Sequence, residues 1–190
     1  KKFLHGQTTA DINNANKESF VRSCWLSNAG NIKCLLEIFL NNNGANLVVL
    51  AGSISDLYDG FARVIFPADK VEMKQLKKIF RVQVLNFKKS WKESEVQWLD
   101  SKESIAEKFQ NFEITSSEQF YRWKCLQGIP LGLGELNGHI NPFELGLSDL
   151  ISFDKGCYLG QEKIARLLRS GFIKQKLRYW ESDSPLSVNQ

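Results

Sequence analysis

The chain has 190 residues, of which 43% are hydrophobic and 24% charged, and its net charge is +4. This length can form one large domain or two small ones without disulfides, and no apolar run approaches the roughly 20 residues that span a bilayer. We therefore expect a soluble globular protein with no membrane partner, whose mild basic charge suits an anionic ligand without requiring one.

Apolar and amphipathic segments alternate along the chain. A helix is predicted to begin at Ser53, where Asp56 follows at capping spacing, and to stop before Pro67. A second helix is predicted to begin near Ser116 and to end at Gly128. Apolar runs typical of strands lie at Ala45–Ala51, Val82–Phe87 and Val96–Leu99. Mixed strands and helices predict an α+β fold.

The segment 69–80 fits two structures, because its apolar residues have helical spacing while its first residues alternate as in a short strand. If it is helical, it carries a basic stripe of Lys74, Lys77, Lys78 and Arg81. Such a charge run is usually a solvated face, and direct RNA contact is the less favoured alternative.

The cysteines and histidines do not form a metal-binding pattern. The four cysteines are scattered without a CxxC pair, and the two histidines have no second ligand type at metal spacing. We expect no metal site, and reduced thiols in a reducing compartment, which is the cytoplasm of a bacterium or an organelle matrix of a eukaryote.

The most distinctive motif is Lys155–Glu162, KGCYLGQE, followed by an amphipathic helix that ends at Gly171. Glycines on both sides of Cys157 allow a tight turn, and a lysine and a helix N-terminus nearby stabilise a thiolate. Cys157 is therefore the candidate reactive thiol and Lys155 its catalytic neighbour, although most isolated cysteines are simple core residues.

This octet resembles the KGC(F/Y)xGQE signature of the YgfZ family of folate-binding proteins, which is related to the glycine-cleavage T-protein, an aminomethyltransferase. Three further segments resemble family elements, namely FLQGQxTxDV, a GxP turn and PxELGL. They are Phe3–Ile12, Gly128–Pro130 and Pro142–Leu147.

The resemblance implies an aminomethyltransferase-like folate-binding core with ferredoxin-like parts, formed by residues 1–172 in two intertwined parts. It also implies that residues 173–190 begin a C-terminal β-barrel that is largely missing, with a first barrel strand over 174–180. We interpret the chain as truncated at both ends relative to the family.

The function implied by the resemblance is that of an accessory protein that binds tetrahydrofolate or a related reduced folate. It would support iron–sulfur cluster assembly or repair and, through it, tRNA modification, with assembly proteins or client enzymes as partners. The residues expected to bind the folate are Asp11, Lys124, Lys155, Tyr158, Gln161 and Glu162.

Several positions depart from the family pattern. Leu35 stands where the aminomethyltransferase has its catalytic Asp, and an apolar side chain cannot exchange a proton with the folate amine. Glu37, two residues on, is either a displaced substitute or a solvated or ion-paired glutamate. Lys124 replaces an Arg, and Leu159 replaces the usual Thr. Whether the protein is an enzyme stays open, with an aminomethyltransferase and an RNA-binding module as the alternatives.

Overall fold

The computed structural model describes residues 1–16, 20–74, 77–94, 96–132 and 134–184. Its strands are β1 Phe20–Leu26, β2 Ile32–Asn41, β3 Gly44–Gly52, β4 Phe80–Gln83 and β5 Val96–Leu99. Its α-helices are α1 Lys2–Gln7, α2 Ile54–Ala62, α3 Lys102–Lys108, α4 Ser117–Leu126 and α5 Gln161–Ser170. The predicted α+β class is confirmed.

The main sheet is an antiparallel meander of β1, β2 and β3 with β2 in the centre. One face packs on α2, where Gly60 allows close approach, because a Cβ there would lie 2.4 Å from the Trp25 ring. The opposite face packs on an apolar cluster that includes Trp91, Trp123 and Tyr158. Of the predicted site residues, Tyr158 belongs to the cluster on this second face.

The second sheet pairs β4 with β5, and all four residues of each strand are paired. The strand predicted over 96–99 is therefore confirmed, as is the one over 45–51, which falls within β3. The strand predicted over 82–87 is wrong beyond Gln83, because residues 84–87 belong to no strand.

The helix boundaries follow the local signals. Ser53 caps α2 by accepting a hydrogen bond from the Asp56 amide, and α2 ends at Ala62, before Pro67. A reciprocal capping box between Ser116 and Gln119 begins α4. The predicted starts of both helices are confirmed.

Two other segments are irregular. Residues 70–74 and 77–79 form neither helix nor strand, so the basic stripe does not lie on a helix there, and residues 75–76 fall outside the described part. The strand predicted over 174–180 is wrong, because these residues form neither helix nor strand, and the Leu177 amide donates to the Glu144 carbonyl. Within the described residues, no helix is long and apolar enough to cross a bilayer.

Candidate functional site

Lys155 ties the signature octet to the N-terminal segment. Its ammonium donates to the backbone carbonyls of His5, Thr8 and Ala10 at 2.5, 2.6 and 2.8 Å. These bonds use all three N–H groups of the ammonium. Burial lowers the pKa of Lys155 to about 8, and the Asp11 carboxylate opposes this shift. The signature octet and the N-terminal element therefore form one structural unit, in which the Lys155 ammonium binds backbone carbonyls of the N-terminal element.

Asp11 and His5 belong to the N-terminal part of this unit, and their side chains lie close together. Asp11 accepts hydrogen bonds from the backbone and side-chain nitrogens of Asn14, and its Oδ1 lies 3.5 Å from His5 Nδ1. The hydrogen bond from the Asn14 backbone lowers the pKa of Asp11. The bond from the Asn14 side chain adds to this effect, and burial opposes it. Burial, and then the charge of Lys155, lower the pKa of His5, so a neutral imidazole is favoured there. His5 thus lies at the junction of the two elements.

The other residues of the octet have different surroundings. Cys157 is exposed, and Tyr158 is buried with its hydroxyl unpaired among the described residues. Gln161 accepts a hydrogen bond from the Tyr158 amide, whereas Glu162 is exposed and pairs with Arg166 on α5. The octet therefore presents one accessible thiol on a firmly anchored turn.

Lys124 lies elsewhere, in the wall of a cavity of about 210 Å³ between β3, β4 and α4. Three aromatic residues line this cavity together with apolar residues of β3, and its polar wall residues are Arg81, Gln83 and Lys124. The aromatic residues are Trp91, Phe120 and Trp123. No acidic side chain and none of the other predicted site residues occurs among its described lining residues.

The cations of the cavity differ in their availability. Arg81 donates to Glu37 through Nε and Nη2 and to Gln83 Oε1 through Nη1. Lys124 Nζ lies 5.5 Å from the centroid of the Phe120 ring. Because Arg81 is engaged by its neighbours, Lys124 is the cation better placed to bind an anionic group of a ligand.

The aromatic wall is fixed by hydrogen bonds. The Trp123 indole donates to the Asn86 carbonyl at 3.2 Å, and the Trp91 amide donates to Gln127 Oε1 at 2.8 Å. Phe120 and Trp123 stack with an interplanar angle of 13°. Because Trp91 and Trp123 are almost fully buried, Phe120 is the ring of this wall that is exposed to a ligand.

Glu37 is fully buried and bound by two arginines. Arg22 Nε donates to it at 3.1 Å, and Arg81 Nε and Nη2 donate at 2.7 and 2.8 Å. Although burial raises the pKa of Glu37, the hydrogen bonds and charge of Arg81, followed by the charge of Arg22, outweigh it and hold the pKa below its ordinary value. Of the alternatives for Glu37, the structure shows the ion pair.

Leu35 is also fully buried, within the apolar cluster on the second face of the sheet. It pairs with Cys24 of β1, just as Glu37 pairs with Arg22. A carboxylate is therefore absent from position 35, and the carboxylate at position 37 is held by arginines rather than free to move a proton.

Sequence reasoning does not identify Arg81, Gln83 or Trp91 as cavity residues. The sequence pattern places Arg81 in a solvated stripe, but its side chain points inward to Glu37. This partner lies 44 residues away in the chain, so no local spacing could have indicated the pair.

Comparison with known proteins gives partial matches, and no protein-family model matches the chain. A putative chloroplastic transferase of Arabidopsis thaliana is 48% identical over 54 residues, which are 28% of this chain and 12% of that protein. The mitochondrial iron-sulfur cluster assembly factor IBA57 of Mus musculus is 36% identical over 75 residues, 38% of this chain and 21% of that protein.

The tRNA-modifying protein YgfZ of Colwellia psychrerythraea is 43% identical over 60 residues, 29% of this chain and 18% of that protein. The chain thus spans between 12% and 21% of the length of these relatives. The resemblance to the YgfZ family is confirmed over the matched segments, where the chain is similar to the YgfZ and IBA57 proteins.

Proposed function

We propose that this protein binds a reduced folate and acts as an accessory factor in iron–sulfur cluster assembly or repair and, through it, in tRNA modification. The observation that carries the folate part is the cavity, which combines three aromatic residues with Lys124 and has no acidic residue among its described lining. The accessory part is supported by the functions for which the IBA57 and YgfZ relatives are named.

The cavity residues fit part of a folate. Ligand pockets for drug-sized molecules usually measure about 300–1,000 Å³, so a cavity of about 210 Å³ suits a two-ring pterin better than a whole folate. Trp91 and Trp123 are almost fully buried, so the exposed Phe120 ring would contact the pterin, and Lys124 would attract a carboxylate of the conjugate. Bound tetrahydrofolate would supply reduced ring nitrogens that can carry a one-carbon unit.

An accessory role is favoured over aminomethyl transfer. General acid–base catalysis needs a positioned group that can exchange a proton, and Leu35 has none. Glu37 is not a substitute, because three hydrogen bonds from arginines hold its carboxylate in the ionised form. We place the described α+β region in an aminomethyltransferase-like core that has lost this chemistry.

The exposed thiol of Cys157 is the group that we assign to contact with assembly proteins or client enzymes. Lys155 supports it indirectly, by holding the turn before the thiol against the N-terminal segment. Such a protein would act in the bacterial cytoplasm or in an organelle matrix.

Calorimetric titration of tetrahydrofolate and 5-formyl-tetrahydrofolate tests the folate part. We expect saturable binding of both, weakened at least about tenfold by Lys124→Gln, which removes the charge facing the cavity. Lys102→Gln, an exposed lysine on α3, is the matched control and should bind as the wild type does. Equal affinity for tetrahydrofolate and for citrate would refute a folate site.

A further inference from the structure

The side-chain amide of Gln83, in the wall of the cavity, has a hydrogen-bond partner for its oxygen but none among the described residues for its nitrogen. Its Oε1 accepts a hydrogen bond from Arg81 Nη1 at 2.9 Å. Its Nε2 is buried and has no hydrogen-bond partner among the described residues. Buried polar groups are nearly always paired, so this atom requires an explanation.

The orientation of the Gln83 amide is set by Arg81. A guanidinium has donors only, so the carbonyl end of the amide must face it, and the reversed amide would bring two donors together. Arg81 cannot turn away, because Nε and Nη2 are held by the buried carboxylate of Glu37 at 2.7 and 2.8 Å. The series of hydrogen bonds from Glu37 through Arg81 to Gln83 therefore leaves the NH₂ group of Gln83 without a partner among the described residues.

We propose that Gln83 is a specificity-determining residue of the cavity, whose NH₂ group donates to a carbonyl oxygen or ring nitrogen of the bound pterin. This inference rests on the proposed folate function and names the ring end of the ligand that the cavity takes. Since Nε2 is covered in the described conformation, contact requires the Gln83 side chain to rotate toward the cavity.

The donor discriminates between ligands by their acceptors. A ring with a carbonyl or an unprotonated ring nitrogen gives Nε2 the partner it lacks, whereas a ring without an acceptor leaves it unpaired. The same atom does not recognise the aminobenzoyl-glutamate part, whose carboxylates are attracted by Lys124. Binding of the two halves of folate should therefore depend on different residues.

Gln83→Glu tests this directly. The carboxylate has the same shape and still accepts from Arg81, but it cannot donate at neutral pH. Because the added negative charge weakens both anionic ligands alike, we expect the affinity for tetrahydrofolate to fall at least about tenfold more than the affinity for p-aminobenzoyl-glutamate. Gln97→Glu, at an exposed position on β5, is the matched control and should change neither affinity.

Calorimetry gives both affinities, and thermal unfolding checks that Gln83→Glu folds. If that variant is unstable, Gln83→Met, which removes the donor and keeps the length of the side chain, should show the same selective loss. Unchanged tetrahydrofolate binding in Gln83→Glu or Gln83→Met, or an equal loss for both ligands, would overturn the inference and leave the proposed function intact. Absence of tetrahydrofolate binding by the wild type would instead refute the proposed function and the inference with it.

Discussion

Replacement of Glu37 by glutamine should be among the most destabilising single substitutions in the described part of the chain. The carboxylate is fully buried and accepts three hydrogen bonds from Arg22 and Arg81 and one from Trp98 Nε1 at 3.4 Å. Arg22 also donates to the carbonyls of Lys92 and Ser94, so the cluster joins the main sheet to the segment between β4 and β5.

The expected loss follows from the contacts that an amide cannot make. The glutamine side chain in Glu37→Gln would keep one acceptor oxygen but would turn an NH₂ group toward an arginine donor, and both guanidinium groups would lose their counter-charge. Breaking a buried ion pair by removing one partner costs about 3–5 kcal/mol. Since small domains have a free energy of unfolding of only about 5–15 kcal/mol, this loss should be plain in a urea titration.

A matched control is Glu181→Gln, which removes a carboxylate from an exposed pair with Arg122. Exposed pairs contribute about 0–1 kcal/mol, so its unfolding midpoint should hardly move. A loss below about 1 kcal/mol in Glu37→Gln, or equal losses in the two variants, would refute the argument that the buried pair organises this region.

The pH dependence of the free energy of unfolding is a second test of the role of Glu37. Its pKa in the folded state lies below the ordinary glutamate value because the arginines outweigh burial. Its contribution to the free energy of unfolding is therefore complete above the ordinary glutamate pKa and is lost as the pH falls through the folded pKa. The difference in stability between the wild type and Glu37→Gln should therefore be constant at neutral pH and should shrink under acid conditions. A difference that grows on acidification would contradict the sign of the shift.

Three further predictions concern the signature octet. Tyr158→Phe removes a buried hydroxyl without a partner among the described residues and should raise the free energy of unfolding by about 1 kcal/mol in urea titration; a loss of that size would mean that the hydroxyl is paired. Exposed Cys157 should react with iodoacetamide before Cys24 and Cys34, whose thiol pKa values burial raises to about 12 and about 11; peptide mass spectrometry would refute this if a buried thiol labelled first. Because burial lowers the folded pKa of Lys155 to about 8, the stability of the wild type relative to Lys155→Met should rise as the pH increases from 8 toward the ordinary lysine pKa; a fall would show that the carbonyl contacts stabilise the ammonium more than burial opposes it.

The parts of the fold that sequence predicted correctly depend on near neighbours. Ser53 and Ser116 bond to amides three residues on, and Gly171 ends α5 with a positive φ, so each boundary is encoded within one helical turn. Strands β1 and β2 were not predicted. Most of β2 is buried, which removes the polar alternation that marks a half-exposed strand.

The candidate site was predictable only in part. The octet and the N-terminal element were recognised separately. The hydrogen bonds from Lys155 to carbonyls within residues 5–10 could not be predicted, because they join residues more than 140 positions apart in the chain. The cavity is built by β3, β4 and α4, and the free amide of Gln83 results from contacts with Arg81. Such an arrangement depends on packing between elements and has no periodic signal in the sequence.

The central claim, an accessory role in iron–sulfur cluster metabolism, is tested most directly by the activity of an iron–sulfur enzyme in cells that lack the native protein. The account predicts that expression of the wild type restores this activity, whereas Cys157→Ala, which changes an exposed side chain and should fold normally, does not. Failure of the wild type to restore activity would contradict the accessory role, and full restoration by Cys157→Ala would contradict the function assigned to its thiol.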